Sequence, residues 1–93
     1  MKKKKSLLDA QDLVRFQGLG KQQWRVMTFL GKHTKGTYSS DIRRELGIKA
    51  NILSGSYAGL EARGLITREQ SFPPILVYIK PTEIALKYFR GEW

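Results

Sequence analysis

Residues of the types that catalysis requires are few in this chain and form no catalytic pattern. His33 is the only histidine, and it lies at the end of a predicted helix, where a histidine commonly interacts with the last carbonyl groups. Ser39, Ser40 and Asp41 have the types of a nucleophilic site, but together they are typical of a helix N-cap. The other carboxylates fall on predicted helix surfaces, with no histidine or glycine-rich phosphate loop beside them. The sequence therefore predicts that the protein is not an enzyme.

The composition also argues against metals, cofactors and membranes as partners. The chain has no cysteine, which excludes disulfides, cysteine-ligated metals and thiol catalysis. The longest apolar run covers residues 75–79, far short of the ~20 residues that cross a bilayer. The lysines at 2–5 resemble the start of a signal peptide, but Asp9 and Asp12 interrupt the hydrophobic segment that must follow. We expect a cytoplasmic, nucleoid-associated protein with no cofactor and no metal.

A large excess of positive charge favours a polyanionic partner. Lysine and arginine total 17 against 8 acidic residues, which gives a formal net charge of +9 and an isoelectric point near 10.1. Leaving out the four lysines at 2–5 still leaves a charge of +5 on the remaining sequence. Such an excess of one sign is typical of proteins that bind nucleic acid.

Hydrophobic periodicity predicts one α+β domain at residues 6–93, preceded by a disordered basic tail at 1–5. It is mainly α, with a small β-hairpin. The predicted helices span 7–17, 21–33, 40–46, 50–63 and 83–90, and the predicted strands span 65–69 and 75–79, with a short extended piece at 37–38. We expect Ser6, Ser39 and Thr82 as N-caps, and Gly47 and Gly64 as helix ends.

Three stretches carry a pattern beyond simple periodicity: QWRVMTFL at 23–30, DIRRELGI at 41–48 and LEARGLI at 60–66. Together with KPTE at 80–83, they resemble the winged helix-turn-helix domain of MarR-like transcriptional regulators. The resemblance covers residues 21–89. It implies a winged helix with an extra N-terminal and C-terminal helix, and double-stranded DNA as the partner.

The resemblance also implies which residues contact DNA. Residues 50–63 would be the recognition helix in the major groove. The expected base contacts are Asn51, Ile52, Ser54, Gly55 and Ala58. The expected phosphate contacts are Ser39, Arg43, Arg44, Lys49, Arg63 and Arg68.

Two glycines on the expected recognition helix lower its stability, and another interaction must offset this loss. Gly55 and Gly59 are four residues apart on one helix face, and each costs up to ~1 kcal/mol relative to alanine. There are three alternatives. This face approaches DNA closely, it approaches another protein surface closely, or the helix simply tolerates the glycines. The tip at 71–74 is apolar and contains no arginine for the minor groove.

Apolar residues in the two terminal helices predict a homodimer. The expected surplus consists of Leu7, Leu13, Ile84, Tyr88, Phe89 and Trp93. The alternative is intramolecular, with the first helix folded back on the last. For function, the sequence favours a DNA-binding regulator; a winged-helix protein-interaction module and an RNA-binding component of a larger assembly are the alternatives.

Overall fold

The computed structural model describes residues 8–71 and 76–92, and over these ranges the fold is α+β. Its helices are α1 (Ala10–Val14), α2 (Lys21–Gly31), α3 (Ser39–Leu46), α4 (Ala50–Ala62) and α5 (Glu83–Phe89). Its strands are β1 (Thr37–Tyr38), which precedes α3, and β2 (Ile66–Ser71) and β3 (Leu76–Pro81), which follow α4. The α+β class predicted from the sequence is confirmed.

The three strands form one antiparallel sheet in the order β1-β3-β2. Thr37 pairs with Ile79 between β1 and β3, and Ile66 pairs with Pro81 between β2 and β3. The predicted hairpin is therefore present, displaced by one residue at the start of each strand, and β1 extends it to three strands. Most of the predicted apolar tip lies outside the described residues.

A single core lies between the sheet and helices α2, α3 and α4. The predicted stripe of α4, Leu53, Tyr57 and Leu60, is buried, as is Ile42 of α3. The largest fully buried side chains come from these helices, two strands and the turn before β2: Met27, Leu30, Ile42, Leu53, Leu60, Leu65, Ile66, Ile79 and Val26. This core fixes α4 against both α2 and the sheet, which determines which of its sides stays exposed.

The first helix is shorter than predicted and begins later. Asp9, not Ser6, is the N-cap of α1, because its carboxylate accepts a hydrogen bond from the backbone nitrogen of Asp12 at 2.9 Å. The helix ends after Val14, where successive backbone nitrogens bond three residues back instead of four. The predicted range 7–17 is therefore wrong at both ends, and Ser6 itself lies outside the described residues.

The two ends of the chain meet within one molecule. The ring of Phe16 stacks on that of Tyr88 with centroids 4.1 Å apart, and the backbone nitrogen of Leu8 donates to the carbonyl of Glu92 at 2.8 Å. Four residues of the expected surplus are partly buried against the core: Leu13, Ile84, Tyr88 and Phe89. Leu7 and Trp93 lie outside the described residues. The intramolecular contact between the terminal segments thus exists, and the homodimer stays a prediction.

Candidate nucleic-acid interface

Helices α3 and α4 are joined by a tight turn, Gly47-Ile48-Lys49. Gly47 ends α3, as predicted, and has φ 65° and ψ 33°, a left-handed conformation that glycine adopts without strain. Ile48 is buried and anchors the turn to the core. Arg25 of α2 donates from Nη2 to the carbonyl of Leu46 at 2.6 Å, which satisfies a group at the end of α3. The relative orientation of the two helices is therefore held by the turn, the core and α2.

Helix α4 keeps a long side open to solvent. Its buried residues are Leu53, Ser56, Tyr57 and Leu60. The five residues expected to contact bases are all exposed: Asn51, Ile52, Ser54, Gly55 and Ala58. We call these five the α4 face. It contains no ionisable side chain, so any hydrogen bonding by its side chains comes from one amide and one hydroxyl group.

The two glycines of α4 have different surroundings. At Gly55 a Cβ would meet nothing within 4 Å, so the surface there is open. At Gly59 a Cβ would collide with the side-chain amide nitrogen of Gln23. The Oε1 of the same glutamine accepts a hydrogen bond from the backbone nitrogen of Gly20 at 2.8 Å, at the start of α2. Gly59 thus allows α2 to pack closely against α4. Gly55 makes no such contact within the fold and is part of the exposed α4 face.

Ser39 does not cap α3, contrary to the prediction. The N-cap is Tyr38, which makes no side-chain capping bond. The hydroxyl of Ser39 instead lies 2.8 Å from the hydroxyl of Tyr57 in a hydrogen bond between α3 and α4. Burial raises the pKa of the Tyr57 phenol, although the Ser39 bond and the charges of Arg68 and Arg43 act in the opposite direction. Ser39 therefore links the two helices.

The cations of α3 and its turn differ in how they are paired. Arg44 forms an ion pair with Asp41, with 2.6 Å between Nη2 and Oδ1. The side chains of Arg43 and Lys49 are exposed and make no hydrogen bond or ion pair within residues 8–71 and 76–92. Lys49 is the N-cap residue of α4, directly before the α4 face. These two cations are available for an anionic partner.

Arg63 and Arg68, also expected to contact phosphate, bond to other parts of the chain. The guanidinium of Arg63 donates to the carbonyls of Arg15, Gln17 and Gly18. Arg68 donates from Nε and Nη2 to Oε1 of Glu61, at 3.0 and 2.8 Å. We therefore leave both arginines out of the phosphate contacts proposed below. Sequence reasoning missed these partners because the carbonyls lie 45 to 48 positions from Arg63.

A second surface feature lies on the outer side of α2. It is a groove of about 570 Å³ whose lining is mostly apolar and includes three cations. Its lining residues are Lys21, Trp24, Arg25, Thr28, Phe29, Lys32 and Leu46. Five of them recur at spacings of three and four residues on one face of α2, Lys32 is its C-cap, and Leu46 lies at the end of α3. We call it the α2 groove.

Taken together, the described residues form an α+β domain that exposes an uncharged helix face beside unpaired cations. No family model, curated protein or solved structure matches this chain. No helix in the described ranges has the length and hydrophobicity that a bilayer crossing requires. Over the same ranges, no three His, Asp or Glu side chains lie close enough together to hold a metal ion.

Proposed function

We propose that this chain is a small DNA-binding protein of the winged-helix type that acts as a transcriptional regulator. The observation that carries the proposal is that the whole α4 face is exposed while the opposite side of the helix packs into the core. A helix of 13 residues is about 20 Å long and fits the major groove. The order α3, turn, α4, β2, β3 is the order in which such a domain presents its recognition helix and wing.

Affinity in this proposal comes mainly from phosphate contacts. Arg43 and Lys49 are the unpaired cations nearest to the α4 face in sequence, and Arg44 contributes less because its ion pair with Asp41 offsets part of its charge. The lysines at 2–5 supply further positive charge. Asn51 lies at the second residue of α4, where a recognition helix meets the bases, and its amide suits a bidentate contact to adenine.

We also propose a homodimer through the N- and C-terminal helices. Val14 of α1 is 55% exposed, and Ile84 and Phe89 of α5 are only partly buried. A two-fold dimer would cover these residues and place two copies of α4 against two successive turns of DNA.

Fluorescence anisotropy with a labelled mixed-sequence duplex tests the DNA-binding proposal. We expect binding at low salt. A plot of log affinity against log salt concentration should have a slope of roughly −0.9 for each phosphate contact. Deletion of residues 2–5 should weaken binding and flatten this dependence. Lys49→Gln should do the same, whereas Lys32→Gln, which removes an equal charge from the α2 groove, should have little effect. Absence of binding at low salt, or binding that ignores salt, contradicts the proposal.

A protein-interaction module is the second candidate, favoured by the α2 groove and by the lack of charge on the α4 face. A third candidate, RNA binding, shares the same electrostatics. Titration with duplex RNA in parallel separates the three candidates. Stronger binding to RNA supports the third candidate, and no binding to either nucleic acid supports the second.

A further inference from the structure

Two of the side chains on the α4 face, those of Ile52 and Ala58, are hydrocarbon. Ile52 is 45% exposed. Ala58 exposes its methyl group, and the open space at Gly55 leaves room for a partner to approach the helix backbone. Only Asn51 and Ser54 on this face have side chains that form hydrogen bonds. A partner that covers the α4 face therefore contacts two apolar side chains as well as one amide and one hydroxyl group.

In the major groove, only one base offers an apolar group. Thymine presents its 5-methyl group beside the O4 acceptor, whereas guanine, cytosine and adenine present hydrogen-bonding groups. A hydrocarbon side chain gains free energy when it covers the thymine methyl. The same side chain loses free energy when it covers polar groups of a G·C pair, because those groups lose water and gain no partner. The α4 face therefore favours A·T pairs in two independent ways.

We propose that Ile52 and Ala58 recognise thymine 5-methyl groups, so that the preferred duplex sites are rich in A·T pairs. This inference rests on the proposed function, since it assigns a base preference to the same helix. Asn51 and Ala58 are seven residues apart, which is about 10 Å along a helix. That length corresponds to about three base-pair steps of roughly 3.4 Å. One copy of α4 thus reads a window of three or four base pairs, with Asn51 on an adenine within it.

Replacing thymine by uracil tests the proposal directly, because uracil lacks only the 5-methyl group. The probes are a labelled alternating A·T duplex and the same duplex with uracil in place of thymine, both titrated at several low salt concentrations. We expect binding to weaken about fourfold for each recognised methyl group that is removed, the value of one buried carbon group. The dependence on salt should be the same for both duplexes, since the phosphate contacts do not change. An alternating G·C duplex with 5-methylcytosine should bind more tightly than its unmethylated form.

Variants assign the effect to the α4 face. The double variant Ile52→Ser, Ala58→Ser removes both apolar groups from exposed positions, and circular dichroism checks that it stays folded. We expect it to bind the thymine and uracil duplexes equally. Ala62→Ser is the matched control, since Ala62 is an exposed alanine of α4 that lies outside the α4 face and outside the terminal helices, and it should keep the preference for thymine.

Each other outcome has a definite meaning. Equal binding of the two duplexes by the unmodified protein overturns the thymine inference and leaves the DNA-binding proposal intact. A preference that survives in the double variant also overturns the inference, because the methyl group would then be sensed elsewhere or through duplex shape. Absence of binding to every duplex overturns the proposed function and the inference with it.

Discussion

Arg15 and Arg63 lie 48 positions apart, and each donates a hydrogen bond from its guanidinium to the main-chain carbonyl of the other, at 2.8 and 3.0 Å. Arg63 also donates to the carbonyls of Gln17 and Gly18, which follow α1. Two arginines thus satisfy carbonyl groups at the ends of two helices that are distant in sequence. The pair connects the N-terminal segment to the end of α4.

The first prediction is that Arg63 stabilises the fold and does not contact DNA. Arg63→Ala should lower the free energy of unfolding by about 1–2 kcal/mol, since it removes charge-assisted hydrogen bonds that are partly exposed to water. Affinity for duplex DNA and its salt dependence should not change. Arg43→Ala, the matched control, should leave stability nearly unchanged and weaken binding. Urea unfolding and anisotropy measure the two effects; a lower affinity of Arg63→Ala on every duplex would restore Arg63 as a phosphate contact.

The elements that the sequence placed well carry both a hydrophobic stripe and a defined end. Helix α4 was predicted within one residue because Leu53, Tyr57 and Leu60 recur at helical spacing and Gly64 follows. Helix α1 was misplaced because Ser6 and Asp9 are both acceptable N-caps, and the choice between them depends on local hydrogen bonding.

The exposed side of α4 was also predictable from the hydrophobic stripe, because the residues opposite the buried stripe must face solvent. The partners of the side chains were not predictable. Nothing near Arg63 in sequence indicates that it bonds to carbonyls beyond α1. The contact of Gly59 with Gln23 also depends on how two distant helices pack. These relationships arise from tertiary structure, and hydrophobic periodicity does not encode them.

The second prediction concerns the hydrogen bond between Ser39 and Tyr57. Tyr57 is 3% exposed, so Ser39→Ala leaves a buried hydroxyl without a partner and should cost about 1–2 kcal/mol of stability. Tyr57→Phe should cost about 1 kcal/mol, because the half-buried Ser39 hydroxyl can bond to water. The double variant should cost less than the sum of the two single changes. Additive effects in urea unfolding would mean that the two hydroxyls do not interact.

The same pair gives the stability a defined dependence on pH. The pKa of the Tyr57 phenol is raised above its ordinary value of 10.0 by burial, so the folded state favours the neutral phenol. Its contribution is fully present below pH 10.0 and is lost as the pH rises from there through the raised pKa. The stability advantage of the unmodified protein over Tyr57→Phe should therefore shrink as the pH rises above 10.0 through the raised pKa. An advantage that stays constant over this range would contradict the assignment.

The third prediction compares the same substitution at two positions of α4. Gly55→Ala should raise the free energy of unfolding by up to ~1 kcal/mol, because alanine favours the helix and the added Cβ meets nothing. Gly59→Ala should raise the free energy of unfolding by less. The added Cβ displaces the side chain of Gln23, which then loses its hydrogen bond to the backbone nitrogen of Gly20. In a Gln23→Ala background the two alanine substitutions should become equal. A difference that persists in this background would mean that Gln23 is not the cause.

The fourth prediction is that the chain forms a homodimer through its terminal helices. Light scattering behind size exclusion should give the mass of two chains at tens of micromolar, roughly the range in which weak dimers persist. Val14→Lys adds a charge to the exposed surface of α1 and should shift the protein to a monomer. Leu76→Lys changes an exposed apolar residue of β3 in the same way and should leave the dimer intact. A monomeric unmodified protein at this concentration would rule out the dimer.

The last prediction separates base recognition from phosphate contact on α4. Asn51→Ala should reduce the preference for an A·T-rich site by ~1–3 kcal/mol and leave non-specific affinity nearly intact, since one bidentate base contact is worth that much. Lys49→Ala should lower the affinity for all DNA sequences alike, because a phosphate contact carries no sequence information. Gly55→Arg adds a cation at an open position and should strengthen non-specific binding. If anisotropy finds unchanged binding in all three variants, α4 is not the DNA surface, and dissociation of the dimer or of a partner in Gly55→Arg would identify it as a protein-docking surface.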